Sequence, residues 1–120
     1  AVFEDPNCGY CKQFEKDLRS VDIVTVYLFL YPVLGPDSTV KSRNIWCSKD
    51  AAKTWNDWMI EGTKPADAPA SCDVAALQRN LEFGRKHNIT GTPTLIFADG
   101  TRVPGAVPAA QVEKQLAAAN

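Results

Sequence analysis

The sequence predicts an α/β fold: a central mixed four-stranded sheet flanked by helices. Three observations carry this. A short apolar run, Ala1 to Glu4, leads through turn residues into an amphipathic helical pattern, and a β-rich run, Ile23 to Tyr31, follows it. Such a strand–helix–strand unit closes with its strands parallel and its crossover right-handed. Near the other end, two short strand runs flank Asp99-Gly100, a tight-hairpin signal that makes them antiparallel. Between the two halves lies a helical insertion, at about residues 38–88.

Taken in order, Ala1 to Glu4 reads as the end of a strand. Strands run about 5–6 residues, so further residues are expected upstream. Asp5-Pro6-Asn7 is turn chemistry, with Asn7 a good N-cap. The first helix places Cys11, Phe14, Leu18 and Val21 on one face. Lys12, Glu15, Lys16 and Arg19 take the other, with Glu15 and Arg19 four apart as an ion pair. Ile23 to Tyr31 is almost continuously apolar, as in a strand buried on both faces, and Pro32, Gly35 and Pro36 end it. Ser38 to Cys47 is weakly helical. Ser48 is positioned to cap a helix running to Ile60, with Ala51, Ala52, Trp55, Trp58 and Met59 as its buried stripe and Gly62 as its stop.

Lys64 to Ser71 is a loop rich in Pro and Ala. Val74, Leu77, Leu81 and Gly84 mark the next helix, with Asn88 a left-handed residue after its end. Thr94 to Ala98 is a strand and Thr101 to Val103 its hairpin partner. Pro108 fits the first turn of a final helix that buries Val112 and Leu116.

A chain of 120 residues forms one domain, 1–120, large enough to bury a core. A net charge of −1 gives no electrostatic footprint for nucleic acid or an anionic membrane surface. The longest apolar stretch, Ile23 to Val33, is too short to span a bilayer.

The chemistry concentrates in Cys8-Gly9-Tyr10-Cys11. A cysteine at a helix start meets unpaired backbone N–H groups and the positive end of the helix dipole, and both favour the reactive thiolate. The spacing lets the second thiol reach the first sulfur. The pair reads as a dithiol that attacks, resolves and re-forms a disulfide. Cys8 is the nucleophile; Cys11 resolves. A structural disulfide and half of a zinc site share this spacing, but one histidine and no second C-x-x-C make zinc a weak alternative. That histidine, His87, follows Arg85 and Lys86 at a helix end, where a solvated cation suits the dipole. Trp46, Trp55 and Trp58 read as core and rim packing. Gly9 keeps the approach to Cys8 open and Tyr10 shapes the rim or contacts substrate. A C-x-x-C opening the first helix of this element order indicates a thioredoxin-like fold.

Phe3-Glu4-Asp5-Pro6-Asn7-Cys8-Gly9-Tyr10-Cys11 resembles the active-site segment of the DsbC/DsbG family of bacterial periplasmic disulfide isomerases. Ile45-Trp46-Cys47-Ser48-Lys49-Asp50 is similar to that family's mid-domain cysteine segment, and Ala68-Pro69-Ala70-Ser71-Cys72-Asp73 to the segment holding its partner. Gly91-Thr92-Pro93-Thr94 resembles the cis-proline loop, and Asp99 to Gly105 the closing hairpin. The similarity covers essentially the whole chain, and the Gly-Tyr dipeptide matches DsbC better than DsbG.

The resemblance implies that Thr92-Pro93 is a cis peptide beside the cysteines and that the backbone of Thr92 pairs with an extended substrate. It implies a structural Cys47–Cys72 disulfide, whose loop of about 25 residues is worth roughly 3.5 kcal/mol in the chain-entropy model. A second redox pair is the alternative. No metal or organic cofactor is expected. The implied activity is disulfide isomerase or reductase on misfolded secreted proteins in the bacterial periplasm, with a DsbD-type membrane protein as reductant. The family dimerises through an N-terminal domain absent from this sequence, so the 120 residues alone are expected to be a monomer. A dithiol oxidase or dedicated reductase, and a chaperone or binding module with structural disulfides, are the rival functions. One departure stands out. Many thioredoxin-like proteins carry a buried carboxylate six residues before the first cysteine, where this chain has Val2. The proton acceptor for Cys11 must then be another group, Glu4 or water.

Overall fold

A computed structural model describes residues 1–119. Its elements are β1 (Val2–Glu4), α1 (Gly9–Leu18), β2 (Leu28–Leu30), α2 (Pro36–Trp46), α3 (Ala51–Glu61), α4 (Ala75–Lys86), β3 (Thr94–Ile96), β4 (Arg102–Pro104) and α5 (Ala109–Ala119). The strands form one sheet in the order β2-β1-β3-β4. β1 and β2 are parallel, with Val2 opposite Leu28; β3 is antiparallel to both β1 and β4, with Leu95 opposite Val2 and Val103. The expected β–α–β half, helical insertion and β–β–α half are all present.

Alternation along β1 sorts the core onto the two faces of the sheet. Val2 packs with Phe14, Val21, Leu95 and Val112, joining α1 and α5 to one face. Phe3 packs with Tyr31 and Ile89 on the other. A third cluster joins the helical insertion to the start of α1 through Cys8, Cys11, Leu30, Ile45, Trp55, Met59 and Leu77. On the Phe3 face, Gly84 of α4 lies against the Tyr31 ring, and Tyr31 Oη donates to the Ile89 carbonyl at 2.8 Å.

Several local expectations are corrected. Only Leu28–Leu30 of the Ile23–Tyr31 run is strand, and Ile23 is 94% exposed. β2 is an edge strand whose register runs from Leu28 opposite Val2 to Leu30 opposite Glu4, with the Tyr27 carbonyl accepting from the Val2 N–H. The N-cap of α1 is Cys8, not Asn7, whose amide instead donates to Asp37 and Ser38. Asp50 rather than Ser48 caps α3 by accepting from the Lys53 N–H, while the Ser48 hydroxyl closes the end of α2 on the Ile45 carbonyl. Within the α3 stripe Trp55 and Met59 are buried, Trp58 is half-buried and Ala52 is exposed.

Glu15 is buried, and among the described residues the ion pairs are Lys41–Asp37 and Lys53–Asp57, with none between Glu15 and Arg19. The reason is α3: the Trp55 indole N–H donates to Glu15 Oε1 at 3.1 Å and holds the carboxylate inside. Gly62 and Asn88 adopt the left-handed conformations expected after α3 and α4.

Candidate active site

The turn that delivers Cys8 is built around the Asp5 carboxylate, which is fully buried. Oδ1 accepts from the Asn7 N–H at 2.8 Å and the Ser38 hydroxyl at 2.7 Å. Oδ2 accepts from the N–H groups of Val33 at 2.8 Å and Leu34 at 3.0 Å. One side chain thus ties the β1–α1 turn to the β2–α2 loop and the first turn of α2. The Pro6 carbonyl accepts from the Trp58 indole at 2.6 Å, and the ammonium groups of Lys12 and Lys41 lie 4.6 and 4.9 Å from the Trp58 ring. The turn is braced from three elements before the chain enters α1.

Cys8 occupies the N-cap, and its Sγ accepts from the Cys11 backbone N–H at 3.1 Å. Negative charge developing on this sulfur therefore faces a backbone donor at the positive end of α1. The Cys8 thiol also reaches the Thr92 carbonyl at 3.4 Å, and the Thr92–Pro93 peptide is cis. Gly9 and Tyr10 are exposed on the rim, Tyr10 by 75%. Cys8, Gly9, Tyr10, Cys11, Thr92 and Pro93 thus meet at one place. Cys8 is 5% exposed and Cys11 fully buried, and both are free thiols. Burial foremost, then the hydrogen bond with Cys8 and negative charge on Glu4, pushes the Cys11 thiol far up. A buried neutral thiol beneath a sulfur at a helix N-terminus suits an attack-and-resolve sequence: the outer sulfur forms a mixed disulfide, and the inner one attacks only after losing its proton.

Cys47 and Cys72 are joined by a disulfide with Cα atoms 5.9 Å apart, and lie away from this constellation at the end of α2 and in the loop before α4. His87 is exposed after α4, its ring 4.3 Å from that of Phe83. No group of three or more His, Cys, Asp or Glu among the described residues could hold a metal ion.

Sequence reasoning missed Asp5 as a structural hub and Glu15 as part of the site. The Glu4 carboxyl is fully buried, and neither of its oxygens accepts from an N–H or O–H donor among the described residues. Its polar neighbour is the Glu15 carboxyl, and two carboxyl groups hydrogen-bond only when a proton lies between them. Burial foremost, then that contact and the negative charge of Glu15, raises Glu4 well above the ordinary carboxylate range. The readable signal was Glu4 itself, a charged residue in a strand sequence that is otherwise Val-Phe.

The description of the thioredoxin-like domain matches residues 1–120, the full chain. The chain belongs to the thioredoxin-like family. Within this family it is 52% identical over 116 residues to a probable thiol:disulfide interchange protein DsbC of Bordetella parapertussis, covering 97% of this chain and 40% of that protein. It is 33% identical over 119 residues to the thiol:disulfide interchange protein DsbC of Escherichia coli, covering 96% and 49%. The chain thus spans less than half the length of these curated relatives. In the thioredoxin-like structure of a disulfide interchange protein from Neisseria gonorrhoeae, 98% of this chain superposes on 84% of that one with a TM-score of 0.89 and 34% identity. The mixed four-stranded sheet with its five helices is this family's fold.

Proposed function

We propose that this thioredoxin-like domain is a DsbC-type thiol–disulfide oxidoreductase that reduces and isomerises disulfides of misfolded secreted proteins. The observation that carries the reading is the placement of Cys8: its sulfur caps α1, accepts from the Cys11 N–H and lies 3.4 Å from the Thr92 carbonyl. In the forward step Cys8 attacks a substrate disulfide. A Cys8–substrate bond forms, the substrate S–S bond breaks, and the released substrate sulfur leaves with the electron pair and takes a proton from water. Two outcomes follow. Cys11 attacks Cys8, so the enzyme is oxidised and the substrate fully reduced; or another substrate thiol displaces Cys8 and the substrate is isomerised. Thr92 is assigned to hold an extended substrate by its backbone, with Gly9 and Tyr10 forming the rim.

The relatives' name, thiol:disulfide interchange protein, supports the exchange chemistry. A structural neighbour at 23% identity, described as a periplasmic thioredoxin-like protein, shares the fold. The relatives' name and the Cys47–Cys72 disulfide favour an oxidising compartment, which we assign as the periplasm. No helix among the described residues is long and apolar enough to cross a membrane. A DsbD-type membrane reductant and dimerisation through a separate N-terminal domain complete the proposal; the domain by itself is then a monomeric reductase with reduced isomerase activity.

The test is trapping. Cys11→Ser, incubated with a disulfide-scrambled protein, accumulates a mixed disulfide through Cys8 that a reductant releases, whereas Cys8→Ser accumulates none. Equal trapping by both variants, or none by either, overturns the assignment.

A further inference from the structure

The mechanism above leaves one proton unassigned. Cys11 is fully buried and must lose its proton before it can attack the Cys8 mixed disulfide. Val2 occupies the position from which many members of this fold supply a carboxylate, and Val2 is packed into the apolar cluster of Phe14 and Leu95. Two other carboxyl groups stand beneath the cysteines. Glu4, two residues along the same strand, is fully buried, accepts from no donor among the described residues, and is close enough for its charge to act on Cys11. Glu15, one helical turn after Cys11, touches Glu4 and accepts from Trp55. Glu15 also lines a cleft of about 300 Å³ with Arg19, Trp55 and Asn56, of which Arg19 and Asn56 are exposed. Leu30, opposite Glu4 in the sheet, and Trp55, the donor to Glu15, pack in the same cluster as Cys8 and Cys11.

We propose that Glu4 is the proton acceptor of Cys11 and that Glu15 relays the proton to the solvent cleft beside α1. This inference rests on Cys8 and Cys11 being the exchanging pair. Glu4 holds its proton at rest, because burial foremost and then the Glu15 carboxyl beside it disfavour its charge, while Glu15 Oε1 accepts from the Trp55 indole. When Cys11 attacks, the Glu4 proton passes to Glu15 and the Cys11 proton passes to Glu4. The Cys11 sulfur then forms its bond to Cys8, the Cys8–substrate bond breaks, and the substrate thiolate leaves with the electron pair. Both carboxyls are now neutral, and Glu15 gives the extra proton to water in the cleft. Reduction of the Cys8–Cys11 disulfide runs the same steps backwards.

The surrounding charges suit this role. The groups acting on Glu4 are Glu15 and Cys8, both of which disfavour its ionisation. Asp5 spends its carboxylate on Asn7, Ser38, Val33 and Leu34. α3 contributes the Trp55 indole and β2 contributes apolar Leu28 and Leu30, and Arg19 lines the cleft with Glu15. A carboxyl held protonated by burial and a neighbouring carboxyl has, in that neighbour, a group to exchange its proton with.

The experiment uses an aromatic disulfide whose released thiolate is coloured, mixed rapidly with the reduced protein. The first release reports attack by Cys8 and the second reports attack by Cys11. At neutral pH, Glu4→Gln is expected to slow the second release by about 10–100-fold, the scale of positioned proton transfer, and to leave the first unchanged. Glu15→Gln slows the second release in the same direction. In the wild type the second rate rises with pH and then levels; in Glu4→Gln it climbs with hydroxide throughout. A merely electrostatic Glu4 does not slow the second release: any charge on it pushes the Cys11 thiol up, so its removal leaves that release unchanged or faster. An unchanged or faster second release in Glu4→Gln, or an unaltered pH profile, overturns the proposal. Should Glu4→Gln fail to fold, Glu15→Gln decides by the same criteria. Loss of the two-step release in the wild type itself, or its persistence in Cys8→Ser, overturns the assignment of the cysteines instead.

Discussion

Replacing Asp5 by Asn takes one negative charge and one acceptor oxygen from the turn that presents Cys8. Four donors converge on that carboxylate: the Asn7 N–H, the Ser38 hydroxyl, and the N–H groups of Val33 and Leu34. An amide has one acceptor oxygen and one NH₂ group. With NH₂ in place of Oδ2, it would face two N–H donors; with NH₂ in place of Oδ1, Ser38 can turn its hydroxyl to accept, and only Asn7 loses its partner. The second arrangement is the cheaper one. It leaves one backbone N–H unpaired in a partly buried turn, costing about 1–3 kcal/mol, and turns the Val33 and Leu34 bonds from charged to neutral, costing about 1 kcal/mol each.

The expected loss is therefore about 3–5 kcal/mol, a large fraction of the stability of an ordinary domain, and a fall in Tm of about 12–20 °C at 120 residues. Urea unfolding followed by circular dichroism measures it, with the midpoint lowered and the slope unchanged. Asp5→Ala should cost at least as much, since all four donors then lose their acceptor. A loss below about 1 kcal/mol for Asp5→Asn would refute the reasoning, because it would mean that water satisfies these donors as well as the carboxylate does.

Two further outcomes follow from the packing and the charges. A methyl group at Gly84 would collide with the Tyr31 ring and hydroxyl, so Gly84→Ala should push Tyr31 off the Ile89 carbonyl and cost about 2–4 kcal/mol in urea unfolding, after a helix-propensity gain of about 1 kcal/mol; a stabilised variant would show that the ring moves freely. Glu4 titrates higher in the folded protein than its ordinary value of 4.5, so the folded state holds the proton more tightly than the unfolded chain. Stability is then greatest below pH 4.5 as far as this group is concerned, and is lost as the pH rises through the folded value, with a slope approaching about 1.4 kcal/mol per pH unit within that window. Glu4→Gln should remove that slope from a series of unfolding curves at rising pH; an identical slope in the variant would exclude Glu4 as its source.

The architecture was legible because the strongest signals are local. Asp99-Gly100 forces a reversal whatever surrounds it: the Asp99 carboxylate accepts from the Thr101 N–H, and Gly100 takes a positive φ of 89°. Gly62 and Asn88 stop helices by the same kind of backbone preference. The misreadings came from choices that residue type alone does not settle. The composition of Ile23 to Tyr31 is that of a buried strand, but its burial depends on whether another strand lies beside it, and β2 is at the edge. Ser48 and Asp50 are equally good caps by residue type; the Ile45 carbonyl took one and the Lys53 N–H the other.

The same distinction explains why the cysteines were legible and the carboxyls beneath them only in part. Helix-start position separates Cys8 from Cys11 without reference to the rest of the chain, since one residue caps the helix and the other, one turn on, points inward. Nothing local separates Glu15 from Lys12, Lys16 or Arg19 on a helical wheel, because Glu15 sits at the border of the apolar stripe. What moves it inside is Trp55, forty residues away, whose indole N–H needs an acceptor in the core. Once Glu15 is inside, burial of Glu4 foremost, and then the Glu15 carboxyl beside it, raise Glu4 well above the ordinary carboxylate range. The Trp55–Glu15 bond thus sets the Glu15 carboxyl against Glu4, whose own oxygens accept from no donor among the described residues.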